Sequence, residues 1–418
     1  MKNPKGFCDA NTGEVNAKIL QSALDNDSLV EIDIPGIYDI GDTIYLNSNN
    51  TLIFGEGVQI RRVKCNGFDG NAFINRGAFT GIADTNITIK GLNLLVNGVE
   101  STVASEECTK TILGLRAHIA FFYIENLVIE NVTVTGLLHK DYGIQICNFK
   151  NVTVDTILVE GNKDGIHFGP GDGFILRNGT FRTGDDPIAL NADDYSVSNP
   201  TLGEIKNGII ENCRDELWNE KSDGFFVRIL SGSWGDWYSG MKVQHSDSVI
   251  YNDKLYRVVM TPSYDEFTSI NPPDFDSGFK TIDGIRWAKT GYDKVYCSKV
   301  SNITFRNLYC ERPRGAAVAF SVEQNDYRRG YYEGSDFPIN GEFYFENIQV
   351  KADIRHPVIV LTPVKSISIA NSDFNNGTLL ITDDNNTGLK SPPLRLHING
   401  NSFKEEDIII KDRIVFWK

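Results

Sequence analysis

Short runs of alternating apolar and polar residues recur along almost the whole chain, the pattern of half-buried β-strands. They read NITIKGLNLLV from Asn86, NLVIENVTV from Asn126, NVTVDTILV from Asn151, NGIIENC from Asn207 and NITFRNLYC from Asn302. Further copies are GEFYFENIQV from Gly341, SISIANSDF from Ser366 and a weaker RLHINGNSF from Arg395. In the middle the recurrence becomes strict. YGIQI at Ile144, DGIHF at Ile166 and DPIAL at Ile188 are 22 residues apart each time, and Val152 to Phe174 and Val154 to Leu176 keep that interval. A fixed period of this length, with two or three β segments and Gly/Asn/Asp turns per unit, predicts a coiled β solenoid. One rung cannot bury its own apolar face, so rungs stack, with neighbouring strands about 4.8 Å apart.

Residues 11–26 read as a helix, with Asn11 and Glu14 as a capping box and Val15, Ile19, Leu20 and Ala23 on one face. Such a helix would cover the open end of the solenoid core. VEIDI, DTIYL and NTLIF follow as strands. Two stretches break the repeat. Residues 98–125 read as a long loop between rungs. Residues 231–300 read as an inserted small β subdomain, with a hairpin turn at Asn252-Asp253. The expected organisation is one β-helix domain, 1–230 and 301–418, carrying that insertion. The tail DIIIKDRIVFWK is expected to add a last strand or a cap.

N-x-T sequons occur at Asn86, Asn131, Asn151, Asn178 and Asn302, all on the repeat. That coincidence makes them corner asparagines, which tolerate the left-handed conformation and can hydrogen-bond up the stack.

Stacking decides which residues meet. A spacing of 22 places Tyr142, Asp164 and Asp186 in one column and Asp141, Lys163 and Asp185 in the next. Asp164, Asp185 and Asp186 are thereby gathered at the start of two adjacent strands. Crowded carboxylates repel, so at least one should hold its proton to higher pH than free Asp. Lys163, between Asp141 and Asp185 in its column, would keep a neighbour ionised. A raised acid beside an ionised base is what glycosidic hydrolysis requires. The competing readings of the cluster are a solvated turn ladder or a calcium site.

The 418 residues carry 41 Lys+Arg against 55 Asp+Glu, a net charge of −14, with no basic tract. This argues against nucleic acid and anionic membrane as partners. No run of 18 apolar residues exists, so no membrane insertion is expected. The first residues, MKNPKGFCDANTGEV, lack an apolar signal core, so either the chain is not secreted by that route or a leader has been removed. The seven cysteines, at positions 8, 65, 108, 147, 213, 297 and 310, form no CxxC and no regular framework. Cys147 and Cys310 follow strand-like runs and read as small buried apolar residues.

GNKDGIHF followed by TGDDPIAL resembles the NTDG…GDD pattern of polygalacturonases, the pectin-cleaving members of glycoside hydrolase family 28. The specific motif covers about residues 161–192; the general solenoid resemblance covers most of the chain. It implies an all-β fold, a right-handed single-stranded parallel β-helix of the pectin lyase-like kind, and an inverting hydrolysis. Carried over, Asp186 is the general acid, and Asp164 and Asp185 activate water. Lys163 stands where the family has Thr, its GHG histidine has no counterpart in NPTLGEIKNG, and its RIK is at best Arg228-Ile229-Leu230. Uronate recognition does not follow from the motif, and a neutral or differently charged glycan is as good an expectation.

Candidate substrate contacts are His167, which alternation puts on the Asp side of its strand, Lys163, Arg228, Asp194 and Trp234. Asp193 and Tyr195 beside Asp194, Trp237, and Glu323, Asp326 and Arg328 beyond AVAFSV are further cleft candidates. No cofactor and no metal are called for, and the expected location is extracellular or periplasmic. The partner is a carbohydrate; the sequence sets no oligomeric state. Two other classes fit the fold: a polysaccharide lyase or epimerase, with Arg228 and Lys163 neutralising a uronate, and a non-catalytic glycan-binding or phage-tail-type adhesin.

Overall fold

The computed structural model describes residues 1–64, 70–96, 98–99, 114–138, 141–218, 224–260, 265–293, 295–325, 328–384, 387–388 and 390–417. Cys65, Cys108 and Asp326 lie outside the described residues.

Three columns of parallel strands make the solenoid. The first runs from Leu29–Ile32 through Thr51–Phe54 and Asp84–Lys90 into the long segments Ile119–Leu137, Ile144–Gly161 and Gly171–Thr183. It continues through Glu204–Asp215, Cys297–Cys310, Asn340–Val350, Val364–Ala370 and Leu394–Asn399. The second is formed by Gly36–Ile40, Val58–Arg62, Asn93–Leu95 and the second halves of those long segments. The third carries the site. In it Ile144 pairs with Ile166, Ile166 with Ile188, Ile188 with Val227, and Val227 with Val318. The 22-residue register read from the sequence is therefore the observed one.

Alternation puts every second side chain inside, and one continuous apolar core runs from Ala17 to Phe403. Rings stack within it, Phe168 on Phe174 round a corner at 4.5 Å and Phe305 on Phe345 of the next rung at 4.7 Å.

The opening helix is Gly13–Asn26, capped at Thr12 with no side-chain cap. Asn11 makes no capping box. It donates instead to the Gly6 carbonyl and to Asn16 Oδ1. The inward face is Asn16, Ala17, Leu20, Ala23 and Leu24, while Val15 is exposed. Asn16 earns its buried place by donating to the Cys8 and Asp39 carbonyls.

The corner asparagines behave as read. Asn86, Asn126, Asn151, Asn207 and Asn302 all have φ between 53° and 59°. Their amides form a ladder: Asn86 to Asn49 at 3.0 Å, Asn126 to Asn86 at 3.1 Å, and Asn151 to Asn126 at 3.2 Å. It resumes as Asn207 to Asp172 at 2.6 Å and Asn302 to Asn207 at 2.7 Å. Asn151→Ala loses this bond and leaves at a left-handed corner a Cβ without the amide that makes the conformation tolerable. It is expected to cost about 1–2 kcal/mol by denaturant unfolding, with Asn151→Gly recovering the backbone part.

The expected loop over 98–125 is shorter than that reading. A strand begins at Ile119, and residues 100–113 lie outside the described residues. Between the rungs Val227–Leu230 and Cys297–Cys310 the strands become antiparallel. Ser248–Tyr251 and Lys254–Val258 pair across Asn252 and Asp253, whose φ values of 49° and 60° suit a type I′ turn. Ile285–Asp293 and Phe279–Ile282 complete that sheet, and Met241–Val243 pairs with Phe267–Ser269. Trp287, Tyr256, Val258 and Ile285 give these strands a core of their own. The tail supplies two strands, Ile408–Lys411 on Leu379–Thr382 and Val415–Trp417 on Leu394–Asn399.

Candidate active site

Asp164 and Asp186 each stand two residues before a strand of the third column. The backbone ladder already runs through them: Gly143 N–H donates to the Asp164 carbonyl at 3.1 Å and Gly165 N–H to the Asp186 carbonyl at 3.0 Å. The rungs thus superimpose these positions, and Asp185 joins them. One carboxylate oxygen from each of Asp164, Asp185 and Asp186 lies within 4.8 Å of the others. Among the described residues this trio is also compact enough to hold a cation. The Lys163 ammonium supplies positive charge there, paired with Asp185 and 3.4 Å from Asp164 Oδ1.

The column order of Lys163 holds for Asp185 and fails for Asp141. Asp141 turns to His118, with Oδ2 3.6 Å from Nε2, in a wholly buried contact. Lys163 therefore bridges the two carboxylates nearest it and leaves Asp141 alone.

Asp164 and Asp186 are ionised differently. Burial pushes the Asp186 carboxyl up; Arg228 opposes it, the neighbouring Asp164 charge adds to it, and the result is about 6. Burial also acts on Asp164, but Lys163, His167 and Arg228 outweigh it and hold that carboxyl down at about 2. Mutual repulsion is thus real but secondary; loss of water is the larger cause at Asp186.

Asp186 is held by a Phe225 N–H at 2.7 Å and by Arg228 Nη1 at 3.3 Å from its other oxygen. Arg228 sits in the column of Gln145, His167 and Ala189, and its second nitrogen reaches Glu323 Oε1 at 2.6 Å. Tyr195 Oη donates to the same Glu323 oxygen at 3.3 Å. Gly224 has φ +77°, and a Cβ there would press into the carboxylates of both Asp185 and Asp186. Only glycine fits that position.

His167 lies on the Asp side, as alternation requires, but under cover. It is 0% exposed, stacked 4.6 Å from the Tyr142 ring. Its Nδ1 is 3.5 Å from Asp164 Oδ2 and its Nε2 3.8 Å from Asp194 Oδ2. Asp194 is buried too, accepting from Asn191 Nδ2 and the Tyr195 N–H, both at 2.7 Å. These two residues support Asp164 from behind and do not line an open cleft. Trp234 is not at the site. It is packed with Leu202, Ile250 and Leu255, its indole N–H donated to the Val295 carbonyl. Arg328, a cleft candidate from the sequence, is buried and paired with Asp193. Asp185, Lys163, Arg228 and Glu323 keep partial solvent access, between 16% and 23% exposed.

Two residues absent from the sequence reading matter. Arg314 donates to the Asp185 carbonyl at 2.9 Å and grips Asp215 through Nε at 2.6 Å and Nη2 at 3.0 Å. Arg312 donates to the Thr183 carbonyl at 2.5 Å. They brace the Thr183–Asp186 turn from 129 residues downstream. The only sequence signal is the unusual RPR turn after the strand NLYC. Cys147, Cys213 and Cys310 are buried free thiols, as small apolar residues would be.

No family model matches the chain. Its sequence relatives are polygalacturonases. It is 22% identical over 218 residues to a polygalacturonase of Gossypium barbadense, covering 46% of this chain and 47% of that one. An exopolygalacturonase of Arabidopsis thaliana is 31% identical over 135 residues, 30% of each chain. The chain thus spans about half or less of the curated relatives it matches. The polygalacturonase structure from Erwinia carotovora ssp. carotovora superimposes with a TM-score of 0.53 at 11% identity, over 98% of this chain and 95% of that one. The likeness confirms the expected fold, a parallel β-helix.

Proposed function

We propose that this chain is a glycoside hydrolase whose reaction is carried by Asp164, Asp185 and Asp186. The observation that carries this reading is the meeting of three carboxylates within 4.8 Å, with the Lys163 ammonium against Asp164 and Asp185 and with Asp186 wholly buried; those surroundings hold the Asp164 carboxyl down at about 2 and push that of Asp186 up to about 6. Between those values one is a base and the other still holds a proton to give. Asp186 protonates the leaving glycosidic oxygen. Asp164 and Asp185, steadied by Lys163, act on water. Asp186 is fully covered in this structure, by Phe225, Gly224 and Arg228. Substrate therefore enters along the Asp185–Lys163 edge, and Arg228 swings aside.

Sequence similarity to polygalacturonases supports a glycan substrate. The charge pairing supports hydrolysis over proton abstraction beside a uronate. Lys163 and Arg228, the cations such a lyase or epimerase would use, are each engaged with two protein carboxylates. Product analysis over a broad glycan panel tests this: reducing ends without ultraviolet absorbance are expected, and an unsaturated product overturns it. The expected pH profile has its acid limb near 2 and falls above about 6, where Asp186 loses its proton. Because Arg228 draws the Asp186 value down, Arg228→Met is expected to move the alkaline limb to higher pH, while a structural role alone would leave the limb in place.

One observation favours a second stereochemical reading. The motif resemblance implies inversion, yet the carboxylate oxygens lie within 4.8 Å of one another. Inverting pairs are commonly about 6.5–9.5 Å apart and retaining pairs about 5–5.5 Å. We keep inversion, because the second water-side carboxylate, Asp185, offers a general-base pair where a retaining site has a lone nucleophile. Proton NMR of the first-formed anomer decides: an inverted anomer is expected, and a retained one makes Asp164 or Asp185 the nucleophile.

A further inference from the structure

The residue after Glu323 opens a second feature. Gln324 lies on the wall of a cavity of about 790 Å³, within the ~300–1,000 Å³ typical of ligand sites. One wall comes from the segment after Val318–Ser321, the other from the antiparallel strands between 231 and 300, which the catalytic reading does not use. Tyr238 lines the cavity with 56% of its surface exposed. Tyr332 is the second aromatic plane. It is fixed by its hydroxyl, which donates to the Lys242 carbonyl at 2.9 Å, and by the Arg329 guanidinium 4.8 Å from its ring.

The polar groups of this cavity select the ligand. Of its two cations, Arg329 is neutralised within the protein, and Lys242 is turned to a neighbouring hydroxyl. Arg329 pairs with Asp247 and, at 3.4 Å, with Glu266, and the Lys242 ammonium donates to the Thr268 hydroxyl at 2.6 Å. Glu266 and Glu333 line the same space, and their carboxylates can accept hydrogen bonds. Pre-oriented aromatic planes beside carboxylate acceptors match the C–H face and the hydroxyl edge of a neutral pyranose. The two carboxylates disfavour a uronate at that edge. We infer that this cavity, whose wall includes the residue next to Glu323, binds a neutral sugar unit of the glycan. The inference rests on the hydrolase reading only in taking that glycan to be the one cleaved.

The test is binding without turnover. Neutral xylo-, gluco- and galacto-oligosaccharides and oligogalacturonates are titrated calorimetrically into wild type, Asp186→Asn, Tyr238→Ala and Tyr238→Phe. Tyr238 is exposed, so its truncation leaves the core intact. At least one neutral oligosaccharide is expected to bind wild type and Asp186→Asn alike, to bind Tyr238→Phe nearly as well, and to weaken about tenfold in Tyr238→Ala. Failure of every neutral oligosaccharide to bind, or equal binding by Tyr238→Ala, overturns the inference, as does tighter binding of oligogalacturonate lost in the same variant. Binding that meets the expectation in a protein that cleaves nothing on the panel sustains the cavity assignment and removes the catalytic one.

Discussion

Asp186→Asn is expected to fold as the wild type does and to lose about 10²–10⁴-fold in kcat, the contribution of a positioned general acid. The amide keeps the shape of the carboxyl and can still accept the Phe225 N–H, so far-ultraviolet circular dichroism and thermal unfolding should be unchanged. It cannot deliver a proton to the leaving oxygen. Substrates whose leaving group needs no proton, such as aryl glycosides with acidic phenols, should lose far less. That contrast separates loss of the acid from loss of the site. Full activity of Asp186→Asn on a natural glycan would remove the assignment. The alkaline limb near pH 6 should vanish in the variant, because the group that titrates there is gone.

The largest stability effect is expected at Arg314. Its guanidinium and the Asp215 carboxylate are both 0% exposed, and it alone spans the carbonyls of Thr183 and Asp185 and the carboxylate of Asp215. Arg314→Met strands a buried charge and is expected to cost about 3–5 kcal/mol in denaturant unfolding. Asp215→Asn added to it should restore much of the loss, since the uncompensated charge is then absent. Burial already pushes the Asp215 carboxyl up, with Arg314 opposing it. Without Arg314 the native state binds that proton more tightly than the unfolded chain does. Its stability therefore rises as pH falls through the native value, and the deficit of the variant should narrow in acid. A deficit independent of pH would locate the loss in packing instead. Activity should fall as well, because Arg314 fixes the Asp185 carbonyl.

The carboxylate cluster was legible because it depends on a local rule. Once the 22-residue register is read, backbone hydrogen bonds carry Asp186 over Asp164 with no further information, and Gly165 to Asp186 is simply one step of that ladder. The corner asparagines were legible for the same reason. The partner of Asp141 was not, because His118 reaches it from the preceding rung, at a separation outside that register. Trp234 was misplaced because an aromatic between glycine and serine residues reads alike in a cleft and in a core; packing against Leu202 decided it. Arg312 and Arg314 carried no periodic signal, since the insertion after Ser233 separates their turn from the rung they brace.

The amino-acid sequence by itself determined the rung spacing, the columns, the left-handed corners and the meeting of three aspartates, because each follows from a backbone repeat counted along the chain. Only the tertiary structure decided how these groups are charged and covered. Lys163 chose Asp185 and Asp164, Arg228 was drawn to Asp186 and Glu323, and His167 and Asp194 went behind the site. Those outcomes depend on how much water is excluded and which distant side chain fills the space, and a one-dimensional period contains neither.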